Sequence, residues 1–276
     1  MKFPAFAFFL FIMITGCAVN SQNILRDAAG FHDEISLHDE IGLQDADPEM
    51  HDMENPSESG IIMDTAPEAV KKPMIALTFD DGPYDYTQPI LDILERYGVR
   101  ATFFVLGENV EERQDTVRHA VKNGNEIAGH TWSHLPLTEL SNKAIEESIQ
   151  ATSAIIEQVT GIPSCSFFRP PFGLVNQRVA NVSAGLGYSL VGWTVDPQDW
   201  RLRNVNLIYD SVMNHVKENS IILLHDIFDT TASAMERVIP ALIAEGYHLV
   251  TVSELLHHVY GELKPGRMYG NPAMVR

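Results

Sequence analysis

From Met74 onward, short apolar runs alternate with segments of helical period, and this alternation constrains the fold more than any other feature of the chain. The runs are "MIALTF", "ATFFVL", "NEIAG", "SFF", "YSLVGWTV", "SIILLH" and "YHLVTV". Between the first two, "QPILDILERYG" places Ile90, Leu91, Ile93, Leu94 and Tyr97 at helical spacing and stops at Gly98. Further helices are expected over "VEERQDTVRHAVKNG", over "SNKAIEESIQATSAIIEQVTG" with Ser141 as N-cap, near residues 175–184, 205–218 and 232–245, and over "SELLHHVY". Strands that are apolar on both faces and alternate with helices belong to a parallel sheet. The expected fold is α/β, a distorted (β/α) barrel of about seven parallel strands.

A barrel is favoured over an open sheet by the placement of the polar clusters. Asp80 and Asp81 follow the first run, and "HTWSH" (His130, His134) follows the third. "RPPFG", beginning at Arg169, follows the fourth. "DPQDW", ending in Asp199 and Trp200, follows the fifth, and His225 with Asp226 ends the sixth. In a parallel barrel all these strand ends share the face that carries the site. An open sheet would bring fewer of them together at its switch point.

Each cluster suggests chemistry. Two histidines four residues apart lie one turn apart on a helix, so both imidazoles can face one ion. With a carboxylate from the first strand they form a set suited to Zn²⁺, with positions left for water and substrate. Such an ion polarises a carbonyl and brings bound water to a pKa of about 7. His225 on an apolar strand reads either as a core histidine or, from its place on the common face, as an acid. Arg169, stiffened by two prolines, is placed to pair with a carboxylate and hold it ionised. Asp199 can orient a histidine, and Trp200 offers either an apolar wall or core packing.

"TFDDGP", "HTWSH", "RPPFG", "DPQDW" and "LLHD" resemble, in order and spacing, the five motifs of the polysaccharide deacetylase family, also called carbohydrate esterase family 4 or the NodB-homology domain. The resemblance covers roughly residues 74–260. It implies that Asp80 is the catalytic base, that Asp81, His130 and His134 hold the metal, and that Arg169 holds Asp80. It further implies that His225 is the general acid with Asp199 as its orienting partner. Trp200 and Leu223 would line the acetyl-methyl pocket, and the backbone N–H of Phe172 would hold the oxyanion. The family often has Tyr at the position of Phe172, a mild departure that a backbone donor tolerates. The implied activity is metal-dependent removal of the acetyl group from N-acetylglucosamine-type residues of a peptidoglycan or chitin-like polysaccharide. The implied cofactor is a divalent metal, with Zn²⁺ expected first and Co²⁺ and Ni²⁺ as the other candidates. An O-acetyl esterase on xylan or another acetylated polymer would use the same site. A non-catalytic glycan-binding lipoprotein is the reading from another class, and the intact set of Asp80, Asp81, His130, His134 and His225 argues against it.

The N-terminal part reads differently. Lys2 and the apolar run from Phe3 to Ile14 have the form of a secretory signal. "ITGC" resembles a bacterial lipobox, which makes Cys17 a lipidation site and residues 1–17 a lipoprotein signal. Residues 20–70 carry 13 acidic residues and one basic one, so 18–70 is expected to be a flexible acidic linker spanning roughly 40 Å. His32, His38 and His51 within it could hold metal ions loosely, against the plainer reading of a solvated spacer. The catalytic domain is expected over 71–265 and a C-terminal tail over 266–276. Of the net charge of −18, only −7 falls from Lys71 onward, and no basic stripe suits nucleic acid. With Cys17 acylated, Cys165 has no disulfide partner and is expected to be a buried thiol. The expected partners are an acetylated polysaccharide and a membrane reached through the anchor. The protein is expected to be an exported monomer at the cell envelope, or secreted if Cys17 is not lipidated.

Overall fold

The computed structural model describes residues 72–270. Cys17, the signal segment, the acidic linker and its histidines, and the last six residues lie outside the described residues.

The strands are β1 (Met74–Asp80), β2 (Thr102–Val105), β3 (Glu126–Gly129), β4 (Phe167–Phe168), β5 (Ser189–Val191), β6 (Ile221–His225), β7 (His248–Leu249) and β8 (Met268–Tyr269). They run in the order β6-β1-β2-β3-β4-β5-β8, with β7 on the start of β1, and every strand pair is parallel. Beyond β5 the chain crosses to the other end of the sheet. Val195 bridges Ile222 of β6, and Leu223 N donates to Val195 O at 2.9 Å. That contact curls the sheet into the expected distorted barrel, with one irregular seam. Residues 266–270, expected as part of a tail, instead add β8 to the sheet edge, where Gly192 N donates to Tyr269 O at 2.7 Å.

The described residues also hold nine α-helices, α1 (Thr87–Tyr97), α2 (Gly107–Glu112), α3 (Gln114–Lys122), α4 (Asn142–Thr160), α5 (Gln177–Gly185), α6 (Asp199–Leu202), α7 (Val205–His215), α8 (Asp229–Ala244) and α9 (Val252–Tyr260), and two short 3-10 turns, Leu137–Glu139 and Pro171–Gly173. Ser141 caps α4 as expected, accepting from Ala144 N. The single helix expected over 110–124 is broken at Arg113, whose backbone leaves the helical region.

Strand parity sorts the side chains. Ile75, Leu77 and Phe79 pack outward with Phe103, Ile222 and Leu224 against the helices. Ala76, Phe104, Phe167, Val191 and Ile221 pack on the other face. Burying one such side chain is worth about 1.5–3 kcal/mol, so a register slip that exchanged the faces would be costly. The second set shares its parity with Thr78 and Asp80 on β1 and with Leu223 and His225 on β6. Arg169 continues the parity of Phe167, and His130 that of Ala128. The chemistry-bearing residues therefore end the inward rows of their strands.

Candidate active site

The β1 strand ends in two carboxylates that the backbone separates. Asp80 keeps the inward parity and is buried. Asp81 takes a left-handed conformation, φ 76°, which side-chain-bearing residues rarely adopt. Asp81 N donates to Phe104 O at 3.2 Å, Asn109 Nδ2 donates to Asp81 O at 2.8 Å, and Leu106 N donates to Gly82 O at 3.0 Å. Gly82 is required here, because a Cβ at that position would lie 2.1 Å from Asp226 Oδ2.

Asp81 Oδ1 is 3.5 Å from His130 Nε2 and 3.4 Å from His134 Nε2. These separations match those of ligands about 2.0–2.1 Å from a tetrahedral ion, about 3.3–3.4 Å. Asp81 Oδ1 is buried and has no hydrogen-bond partner, an expensive state that a cation would relieve. His130 Nδ1 lies 2.7 Å from Arg169 O. A carbonyl only accepts, so Nδ1 carries the proton and Nε2 presents its lone pair to the cluster. Burial is the main reason the His130 imidazole is pushed down to about 3, which keeps it neutral as a ligand must be. The donor set fits a divalent ion. The two histidines converge from a loop and not from a helical turn. Thr131 (φ 72°) and His134 (φ 56°) are both left-handed, and Trp132 N is tied to Ser148 Oγ at 3.0 Å.

Behind Asp80 lies Arg169, fully buried with its guanidinium satisfied. Nη1 donates to Asp80 Oδ1 at 2.6 Å and to Thr78 Oγ1 at 2.8 Å, and Nη2 donates to Gly192 O at 2.8 Å. Its Cζ sits 4.0 Å from the centroid of the Phe104 ring. Burial raises the Asp80 carboxyl above its ordinary value, and Arg169 is the main influence pulling it back.

Across the cleft, Asp199 is fully buried and accepts four hydrogen bonds. His225 Nδ1 bonds Oδ1 at 2.8 Å, His225 N donates to Oδ2 at 2.8 Å, Thr231 Oγ1 donates to Oδ2 at 2.7 Å, and Trp200 N donates to Oδ1 at 2.8 Å. Burial alone would lower the His225 imidazole. The hydrogen bond and charge of Asp199, with Asp80 and Asp81 farther off, overcome it and push the imidazole up to about 9. Asp80 is held by the Arg169 cation and His225 by the Asp199 carboxylate, the partners that suit an acceptor and a donor respectively.

Residues 68–191 match the family model described as polysaccharide deacetylase. A peptidoglycan-N-acetylglucosamine deacetylase of Bacillus cereus is 37% identical, over 67% of this chain and 89% of that protein. The chain belongs to the polysaccharide deacetylase family. This family is metal-dependent. The peptidoglycan-N-acetylglucosamine deacetylase PgdA of Listeria monocytogenes is 36% identical over 76% of this chain, but the chain spans only 44% of that relative's length. Among solved structures, a family 4 acetyl xylan esterase from Clostridium thermocellum in complex with a cobalt ion superposes with a TM-score of 0.67. It is 34% identical over 72% of this chain and 98% of that one.

In this family member the groups open on a cavity of about 480 Å³ lined by Asp80, Asp81, His130, His134, Phe172, Trp200, Leu223 and His225. Arg169 and Asp199 support it from behind, so all ten site residues expected from sequence within the described residues converge. Phe172 is left-handed, φ 60°. Pro170 and Pro171 have no N–H, and Gly173 N and Leu174 N are spent on their carbonyls. The Phe172 N–H is the donor that this turn has left. Sequence reasoning missed Trp193 and Phe228 on the walls and Thr78 and Thr231 as supports, and it placed Asp196 and Asp226 in the polar clusters without giving either a role. Trp193 continues the inward parity of Val191, a signal that could have found it. Asp226 is fully buried, accepts from Thr87 Oγ1 at 2.6 Å, and is pushed up to about 7 by burial. Cys165 is a free thiol, part-buried, with its Sγ 3.3 Å from Ile127 O. Burial pushes it well above its ordinary value.

Proposed function

We propose that this protein is a metal-dependent deacetylase that hydrolyses the N-acetyl group of N-acetylglucosamine-type residues in a polysaccharide and releases acetate. The observation that carries this reading is the division of labour in one cavity. A buried carboxylate faces a protonated imidazole across an Asp-His-His cluster that has an unpartnered oxygen.

Asp81, His130 and His134 would hold the ion, with Zn²⁺ first and Co²⁺ or Ni²⁺ as alternatives. When bound, it supplies Lewis-acid polarisation of the acyl carbonyl and a lowered pKa for water. Asp80, steered by Arg169, accepts the proton of the attacking water. The Phe172 N–H faces the developing oxyanion. His225, held through Nδ1 by Asp199, donates the Nε2 proton to the departing amine. Trp200 and Leu223 enclose the acetyl methyl and exclude water. The relatives favour peptidoglycan or a chitin-like glycan as substrate. Export to the cell envelope, with Cys17 as a lipid anchor, residues 18–70 as the tether and a monomeric catalytic domain, completes the reading.

The similarity to an acetyl xylan esterase favours one second reading, O-deacetylation at the same site. Acetate release from chitooligosaccharides, peptidoglycan fragments and acetylated xylan, after chelation and again with Zn²⁺ restored, tests both. Zinc-dependent release from an N-acetylated glycan is expected. Release from xylan alone would select the esterase, and no release from any polymer would contradict both.

A further inference from the structure

The described part of the chain is acidic, yet among the described residues Arg178, Arg201, Arg203, Arg237 and Arg267 pair with no Asp or Glu, and of these Arg203 is the one whose guanidinium packs on cavity-lining residues. Arg96, Arg100, Arg113 and Arg118 are each paired with an acid. Arg201 spends Nε and Nη2 on the Gln198 side chain. Arg203 is exposed, and among the described residues no Asp or Glu pairs with it. It is nonetheless fixed. Its backbone is left-handed, φ 44°. Its Nε donates to Trp200 O at 2.9 Å, and its Cζ lies 3.1 Å from the centroid of the Phe228 ring. Trp200 and Phe228 both line the cavity, and the Phe228 ring centroid is 5.9 Å from that of His225. The guanidinium is therefore held against the same aromatic wall as the imidazole that faces the scissile group.

A planar guanidinium whose stem is already ordered, and whose terminal N–H groups are free, is built to accept a carboxylate in two parallel hydrogen bonds. Little rotamer entropy remains to be lost on binding. The charge from Lys71 onward is −7, so an anionic glycan would be repelled without such a local cation.

We propose that Arg203 is a specificity residue that binds a carboxylate carried by the glycan beside the residue being deacetylated. This deepens the deacetylase reading and rests on it. On a peptidoglycan strand the carboxylate has two sources with the same chemistry, the lactyl group of a peptide-free muramic acid or the stem peptide.

The test compares kcat/KM for acetate release by the zinc-loaded protein, native and Arg203→Gln. The substrates are neutral chitooligosaccharides, peptide-free muramic-acid-containing strands and peptide-bearing strands of equal length. In the variant, the ratio of anionic to neutral kcat/KM should fall about two- to fivefold on whichever anionic arm supplies the carboxylate. Arg203→Lys should restore part of it, and the native preference should shrink with added salt while that of the variant stays flat. An unchanged ratio on both anionic arms, with all substrates turned over, would overturn the Arg203 assignment alone. Failure of the native protein to release acetate from any arm would overturn the deacetylase reading and this proposal with it.

Discussion

Replacing Asp199 with Asn keeps the shape of the side chain and removes the charge that holds the His225 proton. In the native protein the imidazole is pushed up to about 9 against the opposing effect of burial. Without the carboxylate, burial dominates, and the pKa should fall to about 6.5 or lower. An acid must be protonated to act, so the alkaline limb of the kcat profile should move down by at least about two units. At pH 8 the protonated fraction would drop from about nine-tenths to about 3%, roughly a 30-fold loss, while at pH 6 this contribution almost vanishes. A metal on Asp81 would cancel one distant raising charge, but the Asp199 bond remains the larger cause. The stability linked to the pair has a matching sign. Because the folded pKa is raised, this stability is fully present below about pH 6.5 and is lost as pH rises through about 9. The assay is acetate release from a soluble oligomer between pH 5 and 10. An alkaline limb unmoved by Asp199→Asn, with activity merely scaled down at every pH, would refute the assignment of His225 as the acid.

Three further outcomes follow from the same geometry. Arg169→Ala should destabilise the fold by about 3–5 kcal/mol in urea unfolding, because Asp80 is left buried without its partner; a change under 1 kcal/mol would contradict this. The Asp226 carboxyl binds its proton more tightly folded than unfolded, so stability should fall as pH rises from about 4 to about 7 and then level off. Asp226→Asn should flatten that slope and raise stability at pH 8 by roughly 2–4 kcal/mol, and an unchanged slope would sink the explanation. Zn²⁺ at 100 times its Kd should stabilise the native protein by about 2.7 kcal/mol. Asp81→Ala should show no comparable zinc-induced rise in Tm, and a native-like rise would remove Asp81 from the ligand set.

The placement of polar clusters just after apolar runs made the site legible in the sequence. The clusters bearing Asp80, His130, Arg169 and His225 each follow a short apolar run, and two carboxylates at a strand end are hard to explain by packing. Features set by distant contacts were not legible. β8 is two residues long with no apolar run to mark it, and it exists because Leu190 N and Gly192 N need acceptors from Arg267 and Tyr269. The break at Arg113 carries no Gly or Pro. There the side chain reaches back to Asp85 at 3.1 Å and lies over the Tyr84 ring at 4.5 Å. The loop bearing His130 and His134 read as a helical turn because spacing alone cannot reveal two left-handed residues. Phe228 escaped notice because one aromatic after a strand is ordinary, and Asp196 stood in a quoted cluster without a role because only the closed cavity shows it among the lining residues.

The account rests on two adjacent aspartates with different work, Asp81 holding the ion and Asp80 accepting the proton. The most direct test measures bound zinc and acetate release together in Asp80→Asn. One zinc per chain, bound with near-native affinity, and turnover reduced about 10²- to 10⁴-fold would bear it out. Native turnover in that variant, or loss of the metal with retention of the proton-transfer limb, would contradict it.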